Sequence, residues 1–391
     1  MLKINFDEQI NRQNTSSVKW DALKNVFGKE DLLPMWVADM DFRPPSAVID
    51  ALKERLEHGM FGYTFVPDHA AASIQEWVSK RHGWTIDTEW IMYSPGVVPA
   101  LGMAIQALTE PGDRVLVQSP VYTPFFNMVK ENKRELVNCP LVLEDERYKI
   151  DFEAFEETIK QDVKMFLLCN PHNPGGRVWT REELVKIAEI CKQHEVLIVS
   201  DEIHSDLVMP PHKHVPLASI DPSYGDISVT CIAPSKTFNL AGLQASSMII
   251  PNPHIREKMA ALQKQQGFFT LNAFGIFGME AAYRHGEDWL DELLEYISGN
   301  IALVEQFIEK EMPEIKVMKP DGGYLIWIDC SRLGLSDEEI RDKLINEGNL
   351  ALEPGTKYGL GGEEFVRMNI ACPREMVQEG LDRMKKALKS T

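Results

Sequence analysis

The chain has no Cys-x-x-Cys pair. Its six cysteines, at 139, 169, 191, 231, 330 and 372, are scattered, and several lie inside apolar, strand-like runs. That spacing excludes a zinc site and a disulfide framework, and reads as buried, reduced thiols in a cytoplasmic protein. No stretch approaches the ~18 apolar residues of a membrane helix, and the opening Met-Leu-Lys-Ile-Asn-Phe-Asp has no apolar core of signal-peptide length. Positive charge is scarce: 41 Lys and Arg against 59 Asp and Glu leave a formal net charge of −18. This argues against nucleic acid and anionic membranes as partners, and makes any anionic ligand depend on local donors. Internal repeats and low-complexity segments are also missing.

What remains is an ordinary globular composition, 44% hydrophobic and 26% charged over 391 residues, enough for two domains and a large core. Residues 1–35 are polar and weakly periodic, an arm that takes its order from packing on something else, such as a partner subunit. Arg43-Pro44-Pro45 is a rigid bend opening a helix from Ser46 to His58, followed by a loop at Phe61-Gly62-Tyr63-Thr64. Gly96 precedes an apolar helix whose first amides, at Val97 and Val98, make a ready phosphate site. Thr180-Arg-Glu-Glu183 is a capping box, and Leu184, Ile187, Ala188 and Cys191 follow at helical spacing. Alternating strands and helices predict an α/β fold with a mostly parallel sheet flanked by helices. After Ile250 the rhythm changes to a helical region, 254–312, and then to strands at 315–318, 323–329 and 365–370. The expected division is an N-terminal arm with a segment of the small domain (1–45), a large domain (46–285) and a smaller C-terminal α/β domain (286–391).

The chemistry gathers at strand ends. Lys236 closes an apolar run, where desolvation lowers a lysine's pKa and frees it to form a Schiff base with a carbonyl. Thirty-five residues upstream, Val196-Leu-Ile-Val199 leads to Asp201, an acid placed to keep a pyridine nitrogen protonated. A third run, Met165 to Leu168, ends in Asn170-Pro-His-Asn173-Pro-Gly-Gly176. One strand-end lysine is ordinarily a solvated charge; three polar strand ends together mark where open α/β sheets bind ligands.

Asn173-Pro-Gly-Gly, Asp201-Glu-Ile-His and Ser235-Lys-Thr-Phe-Asn-Leu-Ala-Gly follow one another as in fold-type I enzymes dependent on pyridoxal 5′-phosphate (PLP), the aspartate aminotransferase superfamily. Arg12-x-x-Thr15-x-Ser17-x-Lys19-Trp20-Asp21, Trp36-Val-Ala-Asp39-Met-Asp41-Phe42 and Asp201-Glu-Ile-His-Ser-Asp206 narrow the resemblance to MalY/PatB-type cystathionine β-lyases (cysteine C–S lyases), from about Phe6 to Pro373. The resemblance implies a homodimer with PLP on Lys236. Asp201 would meet the ring nitrogen, Asn173 the phenolic oxygen, and Tyr122 the ring face. Val97, Val98, Ser235 and the neighbour's Tyr63 would hold the phosphate. His204 would either hydrogen-bond near the phenolic oxygen or simply pack beside Asp201, and Arg367 would grip the substrate carboxylate, with Tyr63 and Trp36 beside the substrate. Gln244 stands where the superfamily usually has an arginine facing the phosphate, so that charge goes unbalanced there. His212-Lys213-His214, between prolines, reads as an exposed loop with no metal. The implied reaction is β-elimination on cystathionine or an S-substituted cysteine, giving a thiol, pyruvate and ammonia. A plain aminotransferase, and a lyase that also binds a regulatory protein, stay open as alternatives.

Overall fold

The computed structural model describes residues 4–389. Seven strands make the central sheet: β1 (Ile91–Ser94), β2 (Arg114–Val117), β3 (Glu135–Asn138), β4 (Val163–Cys169), β5 (Leu197–Asp201), β6 (Ser228–Ile232) and β7 (Ser246–Ile249). They lie in the order β1-β7-β6-β5-β4-β2-β3. From β6 to β3 every pair is parallel, while β7 runs antiparallel to both of its neighbours. Side chains alternate across the sheet as a two-residue period requires. Val115, Val117, Met165, Leu167, Val199 and Cys231 join one core with the helix Val97–Leu108. Leu116, Phe166, Leu168 and Ile198 join another with the helix Arg181–Gln193. Both sheet faces are covered, so the strands read as continuous apolar runs.

The helix Arg181–Gln193 starts at the expected box, with Thr180 accepting from the Glu183 amide and Glu183 accepting from the Thr180 amide. The region after Ile250 divides into three helices, Pro253–Gln265, Ala273–His285 and Glu287–Glu311. The first break falls where Gly267 takes φ +71° and Asn272 caps the next helix through the Gly275 amide.

A second, antiparallel sheet comprises β8 (Lys316–Met318), β9 (Leu325–Asp329), β10 (Glu353–Pro354) and β11 (Phe365–Asn369), ordered β8-β9-β11-β10. The helices Asp337–Asn346 and Arg374–Leu388 pack with it. The N-terminal arm is ordered by packing on the C-terminal part of its own chain. Leu33–Pro34 pairs with Leu350–Ala351, and Leu23, Phe27 and Trp36 pack on Ile345 and Ala351. Phe6 sits among Phe42, Trp289 and Tyr296, with ring centroids 5.1–5.7 Å apart. Weak periodicity hid these anchors because they are single aromatics spaced by polar turns.

Candidate active site

The carboxyl ends of β4, β5 and β6 converge, with Asp201 in register with Cys169 on one side and Cys231 on the other. Beyond them opens a cavity of about 180 Å³ lined by Asn173, Asp201, His204, Ser235, Lys236 and Tyr122. Its far wall is the first turn of the helix Val97–Leu108, whose N-cap is Gly96. No side chain occupies the hydrogen-bonding position at that cap, so the Val97 and Val98 amides stay available to an anion.

Lys236 rides on the short helix Pro234–Thr237, and its Nζ donates to the Ala38 carbonyl at 2.7 Å. Burial, helped by the Arg367 charge, brings its pKa down to about 8, against the pull of Asp39 and Asp201. Burial pushes Asp201 the other way, up to about 7, although the Ile203 amide and Lys236 oppose it. His204 is driven down to about 3 by burial and then by Lys236 and Arg367, so its ring is neutral, and its buried Nδ1 has no partner. Arg367, 3% exposed on β11, donates to Asn173 Oδ1 at 3.1 Å and to the Trp36 carbonyl at 2.8 Å. Its guanidinium lies 5.3 Å from the Tyr358 ring centre, and its buried Nε has no partner.

This donor set fits a phosphate-bearing pyridine aldehyde. Arg367 occupies the oxygen of the Asn173 amide, which turns the amide NH₂ into the free end, a donor for a phenolate. Asp201 has no cationic hydrogen-bond partner of its own and can meet a pyridinium N–H. Lys236 can be neutral near neutral pH, as a carbonyl-attacking amine must be. The buried Nε–H of Arg367 lacks an acceptor and His204 Nδ1 lacks a hydrogen-bond partner in the folded chain, so both are free to meet a bound group.

A family model described as aminotransferase class I and II matches residues 30–384. The chain belongs to this family. It is 53% identical over 386 residues to cystathionine beta-lyase PatB of Bacillus subtilis strain 168, covering 98% of this chain and 100% of that protein. Cystalysin from Treponema denticola, whose crystal structure contains pyridoxal 5′-phosphate, superposes with a TM-score of 0.96 at 37% identity over 99% of each chain. The PLP-bound C-S lyase of Staphylococcus hominis gives 0.93 at 33% identity, covering 99% of this chain and 98% of that one. The α/β architecture is that of fold-type I enzymes.

Within this family fold, Lys236, Asp201, Asn173, Tyr122, His204, Ser235, Val97 and Val98 come together around one cavity. Arg367 joins them through Asn173. Two residues stand apart. Tyr63 is fully exposed on the loop after the helix Ser46–His58, its ring 6.4 Å from that of Phe269, and does not line this chain's cavity. Trp36 contributes its carbonyl, while its ring packs on Phe27 and its Nε1 donates to the Lys19 carbonyl. Gln244 is exposed with φ +52° and lies outside the cavity lining. His214 corrects the expected exposed loop: it is buried, bonded to Glu202 Oε2 at 2.7 Å. Among the described residues no cluster of His, Cys, Asp and Glu could hold a metal.

Sequence reading missed the strap 36–42. Its carbonyls accept from Arg367, Lys236, Tyr324, Asn369 and Asn239. The Trp36-Val-Ala-Asp39-Met-Asp41 motif was the available signal, but its working atoms are main-chain oxygens that any residue carries. Beneath the strap, Lys19 and Arg12 both pair with Asp41, at 2.6 and 2.7 Å.

Proposed function

We propose that this protein is a PLP-dependent carbon–sulfur lyase that carries out β-elimination on cystathionine or S-substituted cysteines, releasing thiol, pyruvate and ammonia. The observation that carries this is the Lys236–Asp201–Asn173–Arg367 constellation in a chain so similar to cystathionine beta-lyase PatB over its whole length.

Pyridoxal phosphate, when bound, supplies the electron sink that makes a substrate α-proton acidic. Lys236 would carry its aldehyde, Asp201 would hold its ring nitrogen and Asn173 its phenolic oxygen, with Tyr122 on the ring face and neutral His204 alongside. The Val97 and Val98 amides and Ser235 would take the phosphate, since Gln244 brings no charge. Arg367 binds the substrate carboxylate as a fork and so fixes the direction of the Cα–H bond. Lys236, with a pKa near 8, removes the α-proton as general base. The Cβ–S bond breaks, the sulfur leaves with its electron pair, and the ammonium of Lys236 returns the proton that the thiolate needs. Water converts the remaining enamine to pyruvate and ammonia.

A homodimer completes the site. Met60, Phe61, Tyr63, Phe65 and Phe269 are all more than half exposed, an apolar face that a second copy would cover. Tyr63 would then reach the neighbour's phosphate and substrate. The arm, large domain and small domain are assigned to 1–45, 46–285 and 286–391. No helix among the described residues is long and apolar enough to cross a membrane. Six buried, unpaired cysteines support a cytoplasmic setting.

The test is stoichiometric. With L-cystathionine or an S-alkyl cysteine and no oxo acid, pyruvate should accumulate over many turnovers, and Lys236→Ala should abolish it in a folded protein. If product stops near one equivalent and resumes only with a 2-oxo acid, the protein is an aminotransferase.

A further inference from the structure

A second buried polar cluster adjoins the cofactor cavity, and the proposed reaction does not use it. Its centre is Asp206, 7% exposed, in the turn that follows Asp201. Its Oδ1 accepts from Trp77 Nε1 at 3.1 Å and from His82 Nε2 at 2.8 Å; its Oδ2 accepts from Thr237 Oγ1 at 2.8 Å. A carboxylate only accepts, so the His82 Nε2 must carry hydrogen. Trp77 and His82 belong to the helix Asp68–His82, as does Arg81, whose charge also reaches Asp206. Tyr283, on the helix Ala273–His285, packs on Trp77 with ring centroids 5.6 Å apart and feels the Asp206 charge. Burial opposes ionisation here, but the bonds from His82 and Thr237 hold the Asp206 carboxyl below its ordinary range.

Thr237 follows Lys236 directly and is wholly buried. The Asp206–Thr237 bond is therefore a direct tie between two turns, one carrying Asp201 and the other Lys236. Those two residues would grip opposite parts of one rigid ring. Their separation sets how far the lysine must bend to stay in the ring plane, and hence the proton affinity of the nitrogen it contributes. We propose that Asp206 is a positioning residue that fixes this separation through Thr237, with His82 and Trp77 anchoring its other oxygen. The inference rests on the Lys236 cavity being a PLP site.

The experiment compares holoenzyme of the parent, Thr237→Val and Thr237→Ser by equilibrium dialysis of PLP and by pH titration of the bound cofactor's visible absorbance. Thr237→Val removes one hydrogen bond without changing shape. It should weaken PLP binding about fivefold and move the absorbance midpoint by about half a pH unit. Thr237→Ser keeps the hydroxyl and should match the parent. Thr237→Ala likewise lacks the hydroxyl, so it should reproduce the Thr237→Val shift, and it serves where that variant does not fold. A variant that only melts at lower temperature, with parental affinity and midpoint, overturns the positioning role. A parent with no visible band would instead overturn the PLP reading of the site.

Discussion

Burial shifts both Asp201 and Lys236 toward the protonation state that water disfavours. Asp201 rises from 3.8 to about 7 on folding, chiefly by burial. Between those values the folded protein binds a proton that the unfolded chain has released, so stability falls as pH climbs from about 4 to 7. Lys236 falls from 10.5 to about 8. It penalises folding fully below pH 8, and the penalty is relieved as pH rises from 8 toward 10.5. In protein stripped of cofactor, Asp201→Asn should therefore be the more stable form at pH 8. The gain has a ceiling of about 4 kcal/mol, from the size of the pKa shift, and should close toward pH 4. Urea unfolding at both pH values measures it, and a gap that does not change with pH would contradict the burial argument. The same variant should bind PLP far more weakly. These residues were legible in the sequence because each is a titratable group at the end of an apolar run. Ala38 was not, because what it offers Lys236 is a carbonyl.

The strap 36–42 depends on charges buried beneath it. Lys19 is wholly buried and Asp41 nearly so, and Arg12 and Trp20 complete the ring around that carboxylate. Burial would raise Asp41, but Lys19, Trp20 and Arg12 together keep it below its ordinary range. Its contribution is present above pH ~4, the unfolded value, and lost as pH falls through the lower folded one. Lys19→Met should cost about 3 kcal/mol, the lower end for breaking a buried pair, since Arg12 remains. Thermal unfolding reads the cost, and limited proteolysis should show earlier cleavage within residues 1–45. Unchanged melting and cleavage would mean that the strap is held by its main-chain bonds alone. Sequence patterning located β4, β5 and β6, the strands that carry the site residues, since parallel strands covered on both faces are apolar throughout. It missed this element because an extended segment held by long-range partners has no period. For His214 a polar neighbourhood in sequence concealed a carboxylate twelve residues away.

For the whole molecule, the proposed dimer would bring the exposed ring of Tyr63 to the cavity of a second copy. Mixing inactive Lys236→Ala subunits with inactive Tyr63→Phe subunits should restore about a quarter to a half of parental activity, because one of the two sites in each heterodimer is intact. No recovery in fully exchanged heterodimers, or an active Tyr63→Phe parent, would remove Tyr63 from the neighbour's site. The strap carries a further consequence for how the protein is made. Trp36 emerges early from the ribosome, but its carbonyl is claimed by Arg367, 331 residues later. Asn239, Tyr324 and Asn369 hold the same strap. A nascent chain that stops before Tyr324 already carries every residue that lines the cavity, but holds the strap only through Lys236 and Asn239, leaving the Trp36 and Val37 carbonyls unclaimed until Arg367 and Asn369 arrive.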